Sequence, residues 1–399
     1  MTILKESVYI FLAKFSFVLA SLALSVMVAG KLGLQGFGLF TLVLSLYTMF
    51  ELVVCFGFDN IIVREVASDH SKAGPIFSHG ALIGIVSSAL GTSLLVIFSQ
   101  LMQYSPEIKR SIYLASGLLL PSFLYYLLEN IFIALGRSRY IFLSALCRDA
   151  FLIIVGIVVL ERGGGVNAVI GTMFLARTFG FICLLCFSNL QKIKLFSPID
   201  LIFFDKTVRL IPTFLWISVS SCLFLEMDTV VLSKVLTISD LGLYNLAKRI
   251  FRVGNIFYYS FAMASFPEIA QGRLTDYKRF MVRMFWLCLS LIIFVYLFSG
   301  FFIHIFFGAL YMPAMRYLQV LIWAVIPLGF SLLLSRFLIA AHRQNKDLVA
   351  SFGGVVILVC LGIPFSLKWA GMGMAMAYTL SAFGMAGIFY YFTRKLLRE

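Results

Sequence analysis

Charge is scarce in this sequence. Asp, Glu, Lys and Arg together make up 13% of its 399 residues, about half the share of an average soluble domain. Metal-ligating patterns are missing as well: His70, His79, His304 and His342 are scattered without ligand spacing, so no metal site is expected. No Walker loop, nucleophile elbow or acidic metal cluster occurs, which leaves neither an ATPase nor an evident catalytic site. The seven cysteines all fall in apolar stretches. Cys183 and Cys186 form a C-x-x-C with no nearby His or charge cluster, and read as inert buried thiols, because reactive cysteines need an electropositive, accessible setting. A cleavable leader is not indicated either. The first apolar stretch is long enough to span a membrane and no small-residue cleavage site follows it, so it is expected to stay as the first helix.

What the chain has instead is apolar length. Hydrophobic residues make up 61% of it, the mean hydropathy is +1.01, and runs of about 20 apolar residues recur throughout, as a hydrocarbon core about 30 Å thick requires of helices. The alternating pattern of a membrane barrel does not occur. Twelve spans are predicted, near 8–29, 37–58, 76–98, 111–135, 142–160, 167–188, 212–233, 242–266, 284–305, 318–341, 348–366 and 371–392. The fold class expected is therefore an all-α polytopic membrane protein. The longest connection lies almost at mid-chain, which predicts an N-terminal six-helix bundle over 1–190, a cytoplasmic linker over 191–211 and a C-terminal six-helix bundle over 212–399. Gly163–Gly165 reads as a tight outer turn, and Gly371–Ala375 as small-residue helix packing.

Lys and Arg in alternate connections set the orientation. With the N-terminus inside, 18 of the 32 basic residues fall on the inner side and 7 on the outer, so both termini are expected to be cytoplasmic. The net charge of +14 then describes a membrane face, with no need of nucleic acid. The halves also resemble one another. Ile133–Arg139 (IALGRSR) matches Ile339–Asn345 (IAAHRQN) at an offset of 206, and Gly36–Phe40 (GFGLF) matches Asp240–Tyr244 (DLGLY) at 204. Each half has an even number of spans, so the copies share one orientation and are expected to be related by a pseudo-two-fold axis along the membrane normal, with a substrate path at their interface.

The remaining seven basic residues lie inside spans: Lys14, Arg148, Arg177, Lys248, Arg249, Arg252 and Arg336. Each costs roughly 2.5–3.5 kcal/mol near the bilayer centre, so it either pairs with a carboxylate or faces a wet cavity that receives an anion. Residues equidistant from a hairpin turn lie at equal depth. On that rule Asp228 is level with Arg249 and Asp149 with Arg177, Glu226 comes within about a residue of Arg252, Glu51 within about two of Lys14, and Glu129 within about a helical turn of Arg148. Two cations are then left over, Lys248 and Arg336. Tyr244, Lys248 and Arg252 share one helix face. Glu51 and Asp228 are open to two roles, structural pairing or carriage of a coupling proton. The 42 phenylalanines likewise read as lipid-facing packing or, around Phe301, Phe302, Phe306 and Phe307, as a groove for an isoprenoid tail.

Several short motifs, degenerate singly but ordered along nearly the whole chain, carry a resemblance. They are Ala29–Gly33 (AGKLG) with Phe37–Phe40 (FGLF), Gly57–Asp59 (GFD) with Arg64 and Glu65, Met227–Thr229 (MDT), Leu241–Ile250 (LGLYNLAKRI), Phe266–Glu268 (FPE), and Phe307–Gly308 with Tyr311. The sequence resembles the polysaccharide transporter family, the O-antigen and exopolysaccharide flippases of the multidrug/oligosaccharidyl-lipid/polysaccharide exporter superfamily. The resemblance implies a MATE-like fold of two six-helix bundles with a cationic cavity. It also implies a secondary transporter, not an enzyme, in the bacterial inner membrane. Its cargo would be an undecaprenyl-diphosphate-linked oligosaccharide moved from the cytoplasmic to the periplasmic leaflet, driven by a proton or sodium gradient and needing no cofactor. The polymerase and chain-length machinery of the pathway would be its neighbours. Lys248, Arg252 and Arg336, then Arg148 and Arg177, are the candidates for the diphosphate. The rivals are a drug or organic-cation exporter of the same superfamily, whose cavity should be acidic or neutral, and a polysaccharide polymerase or ligase. The latter usually has a large periplasmic loop, and no outer loop here exceeds about a dozen residues.

Overall fold

The computed structural model describes residues 2–56, 58–195, 197, 211–270, 277–341 and 343–396. Every regular element among them is helical: α1 (Thr2–Cys55), α2 (Asp59–Ser68), α3 (Ala73–Leu101), α4 (Pro106–Ser116), α5 (Leu119–Ala134), α6 (Ser138–Glu161), α7 (Val166–Leu190), α8 (Ile211–Val235), α9 (Ile238–Ala270), α10 (Tyr277–Phe307), α11 (Ala314–Leu321), α12 (Val325–Ala340) and α13 (Gln344–Leu396), with short 3₁₀ turns between some of them.

Two helices are too long for one crossing. α1 and α13 hold 54 and 53 residues, about 80 Å of helix against a core of about 30 Å. Each contains a break. In α1 it is Gly33 alone, at φ 65° and ψ −169°, a backbone region that is essentially glycine-only. The turn expected to occupy the residues between 29 and 37 is thus a single residue. In α13 the break is Trp369 and Ala370, the latter at φ 52° and ψ −135°. Beyond it Gly373 lies so close to the preceding crossing that a Cβ would fall 2.0 Å from the carbonyl oxygen of Phe365, the small-residue packing expected of this segment. Among the described residues, eight stretches are long and apolar enough to span. The two broken ones supply two crossings each, and the charge-bearing α8 and α9 bring the total to the twelve expected. The chain is a multi-pass membrane protein.

Contacts divide the chain into residues 1–222 and 223–399. The division falls inside α8, and most of the linker expected at 191–211 lies outside the described residues. Within the first unit α1 packs on α6, α6 on α7, and α3 and α7 on α5, around buried Phe37, Phe40, Phe123 and Phe132. Within the second, α12 packs on α13, α9 on α11 and α12, and α10 on α12, around Tyr244, Phe251, Tyr311 and Phe337.

The internal repeat is written into the backbone. At the α5–α6 turn the Leu135 N–H donates to the Ile131 carbonyl at 3.0 Å and the Arg137 N–H to that of Phe132 at 3.0 Å. At the α12–α13 turn, 206 positions on, the Ala341 N–H donates to Phe337 at 3.1 Å and the Arg343 N–H to Leu338 at 2.8 Å. The copies diverge on their outer faces. The exposed side of α3 is aliphatic (Leu82, Ile85, Val86, Leu90, Leu94), whereas that of α10 is aromatic (Trp286, Phe294, Phe298, Phe301, Phe302, Phe306). Phe294 and Phe298 have ring centroids 4.9 Å apart, and Phe302 stacks on Phe306 at 6.1 Å.

Candidate functional site

The intramembrane charges gather in two clusters, one in each unit. In the second unit, Glu226, Asp228 and Thr229 on α8 face Tyr244, Lys248 and Arg252 on α9. These α9 residues are spaced by four, so they lie along one side of the helix. The Lys248 ammonium donates to Asp228 Oδ1 at 2.5 Å, Thr229 Oγ1 at 3.0 Å and Glu226 Oε2 at 3.1 Å. An ammonium has three N–H donors, and here each has an oxygen. Asp228 Oδ2 accepts from the Tyr244 hydroxyl at 2.8 Å. Arg252 Nη2 contacts Glu226 Oε1 at 2.8 Å and donates to the Leu225 carbonyl at 2.6 Å.

This arrangement corrects the expectation that Lys248 is a spare cation. Its side chain is 5% exposed and is the most fully bonded cation of the cluster. The expected Asp228–Arg249 pair does not form, because Asp228 is held by Lys248, Tyr244 and the Thr229 N–H. Arg249 is displaced about 100° around α9 from Lys248, so equal depth gives it no access to that face. Arg252 does meet Glu226. Arg336 on α12 is not spare either, since it lies within electrostatic reach of Asp347 on α13. Those two residues are equidistant from the 341–342 turn, so depth matching places them level once Asp347, at the span's edge, is counted, although no direct bond joins them among the described residues.

The first unit's cluster is built differently. Lys14 Nζ contacts Glu129 Oε1 at 2.8 Å, joining α1 to α5. Arg148 Nε donates to Asp149 Oδ1 at 2.8 Å, one residue along the same helix. Asp149 Oδ2 accepts from Ser16 at 2.8 Å. Glu51 Oε1 accepts from the Tyr47 hydroxyl at 2.5 Å, and that hydroxyl also meets Ser122 Oγ at 2.6 Å. Arg177 Nη2 comes to 3.9 Å from Glu51 Oε1, beyond hydrogen-bond length. The three partners expected here (Lys14 with Glu51, Arg148 with Glu129, Arg177 with Asp149) are thus all exchanged. Helix rotation and non-sequential neighbours, which depth matching ignores, decide the partners.

Rings hold the two guanidiniums instead. Arg148 Cζ lies 5.1 Å from the Phe17 centroid and 4.8 Å from that of Tyr125. Arg177 Cζ lies 5.0 Å from the same Phe17 ring. Cation–π contact uses the flat face of a guanidinium and leaves its N–H edge. Among the described residues, neither Nη of Arg148 and no nitrogen of Arg177 hydrogen-bonds to protein, and none is a sealed-off orphan. Such edges suit the oxygens of a phosphate group. Phe17 and Tyr125 had no sequence signal among so many aromatics, whereas Tyr47 could have been found four residues before Glu51.

A family model described as polysaccharide biosynthesis protein matches residues 3–273. The chain belongs to that family. The matched stretch contains both charge clusters and stops short of Arg336. No curated protein matches the chain. Among solved structures the chain is similar to the inward-facing conformation of a multidrug resistance MATE family transporter of the MOP superfamily. The TM-score is 0.79 at 16% identity, covering 95% of this chain and 94% of that one. It is also similar to the lipid II flippase MurJ in an inward closed conformation, with TM-score 0.76, 16% identity, and 97% and 87% covered. A third is a MOP superfamily transporter from Pyrococcus furiosus, described as having a binding pocket of reverse polarity, with TM-score 0.68, 15% identity, and 100% and 95% covered. At such identities the likeness establishes the fold alone: this family member has a MATE-like, MurJ-like fold.

Proposed function

We propose that the protein is a flippase. Its cargo is an undecaprenyl-diphosphate-linked oligosaccharide, an O-antigen or exopolysaccharide repeat unit, carried from the cytoplasmic to the periplasmic leaflet of a bacterial inner membrane, with both termini cytoplasmic. Membership in a polysaccharide biosynthesis family supports the sugar-lipid class of cargo. The observation that carries the reading is the pair Arg148 and Arg177, two guanidiniums inside membrane spans whose outward N–H groups have no acceptor among the described residues. A diphosphate headgroup is a double anion that cannot cross hydrocarbon unaided, and donors already desolvated and in place reduce its transfer cost. The polyprenyl tail stays in lipid meanwhile, and the repeat unit is delivered to the polymerase machinery on the far side.

Coupling to a proton gradient is assigned to Glu51 in preference to Asp228. Asp228 is tied to Lys248, Tyr244 and Thr229, while Glu51 faces Arg177 loosely at 3.9 Å. Protonating Glu51 removes the carboxylate that lies nearest Arg177 among the described residues and competes with the cargo for it. An organic-cation exporter would need available carboxylates, and of the five in the clusters Glu129, Asp149, Glu226 and Asp228 each bond a cation directly, which leaves Glu51 alone for that role.

Deleting the gene in its native host tests the assignment. Undecaprenyl-linked repeat units should then accumulate on the cytoplasmic side. The double variant Arg148→Ala/Arg177→Ala should insert normally yet fail to restore surface glycan. Normal glycan in the deletion strain, with no redundant flippase present, would sink the proposal.

A further inference from the structure

The first-unit cluster contains a residue whose chemistry is neither acidic nor basic but on which both available cations depend. Phe17 on α1 carries Arg148 from α6 and Arg177 from α7 on one ring, with Cζ atoms 5.1 and 5.0 Å from its centroid. The two charges therefore lie no more than about 10 Å apart. Arg148 is also held by Tyr125 and by Asp149. Arg177 has no comparable support among the described residues, where its nearest ionic contact is the 3.9 Å approach to Glu51. A free arginine side chain carries large rotamer freedom, so the ring is what gives Arg177 a defined place.

We propose that Phe17 is a positioning and specificity-determining residue, which spaces Arg148 and Arg177 so that they act together on a double anion in preference to a single phosphate. The inference rests on the diphosphate reading above and adds to it the source of selectivity. One guanidinium suffices for a monophosphate group, whereas a diphosphate gains from two only if both are held. Removing the ring leaves Arg148 on Tyr125 and Asp149 but releases Arg177, so it damages the pair and not the single contact.

The test uses the full-length protein in detergent, with inorganic pyrophosphate and orthophosphate as probes in titration calorimetry. Phe17→Leu keeps an apolar side chain but removes the π face, and Phe17→Trp keeps a face. Pyrophosphate should bind Phe17→Leu about tenfold more weakly than the wild type, the scale of the cation–π support lost. Orthophosphate should change by less than about threefold, and Phe17→Trp should stay within about threefold of wild type for both probes. The ratio of the two affinities is the readout that general loosening would not move. Unchanged pyrophosphate binding in Phe17→Leu, while Arg148→Ala/Arg177→Ala loses it, removes the role of Phe17 and leaves the diphosphate reading standing. An equal fall for both probes, or failure of Phe17→Trp to rescue, reduces Phe17 to packing and overturns the proposal. A wild-type protein that binds neither probe overturns this inference together with the reading it rests on.

Discussion

Lys248 and Arg177 are both cations inside membrane spans, and their surroundings treat them oppositely. The lysine meets three oxygens with three donors, while the arginine lies on a ring with its nearest carboxylate at 3.9 Å. The local sums of formal charge are alike, since Lys248 and Arg252 face Glu226 and Asp228, and Lys14, Arg148 and Arg177 face Glu51, Glu129 and Asp149. Net charge therefore does not say where an anion can bind. What separates the clusters is how many donors are already spent. Breaking a buried, fully bonded ion pair leaves an uncompensated charge, so the second-unit cluster reads as a structural clamp. The first-unit cluster can exchange partners with little loss.

The largest expected effect sharpens that contrast. Lys248→Met should leave Asp228 without its cation and Glu226 with Arg252 alone, and destabilise the protein by about 3 kcal/mol, seen as a large drop in the thermal midpoint in detergent. Arg177→Met, at a residue with no hydrogen bond to lose, should cost about 1 kcal/mol or less while eliminating flipping. Equal drops for the two variants would erase the distinction between spent and available donors. A smaller effect is expected at Glu51. Glu51→Gln keeps a partner for Tyr47 but removes the charge opposite Arg177. It should tighten pyrophosphate binding about threefold and make flipping in proteoliposomes insensitive to an imposed pH gradient. A gradient response like the wild type's would transfer coupling to another group. Lys14→Met should cost less than Lys248→Met, because it gives up one bond to Glu129 where Lys248 gives up three. A drop matching that of Lys248→Met would show that the first unit too is clamped by its ion pairs.

The twelve crossings were legible because bilayer thickness imposes a length on apolar segments that nothing else in the sequence imitates. The duplication was legible too, since the IALGRSR and IAAHRQN segments preserve one turn geometry down to its hydrogen bonds. Ion-pair partners were not. Depth along a hairpin follows from helical rise, and it puts Glu226 beside Arg252 and would put Arg336 beside Asp347. It has no information on rotation, so it assigned Asp228 to Arg249 when Lys248 holds the facing side. Nor can it see that α1 borders α5 and α6, which is why Lys14 was given Glu51 when it meets Glu129. Phe17 was invisible for another reason: one ring among 42 phenylalanines is singled out only by what lies across from it.

Arg148 and its acid are consecutive residues of α6. A helix that tilts or slides carries both ends of that bond along, so rearrangement leaves the pair untouched. Lys14–Glu129 ties α1 to α5, and Arg177–Glu51 brings α7 toward α1, so neither survives relative movement of its helices unchanged. Relative movement of α6 therefore leaves the Arg148–Asp149 bond itself intact, although Ser16 and Phe17 on α1 also hold that pair, whereas the other two ionic contacts must change.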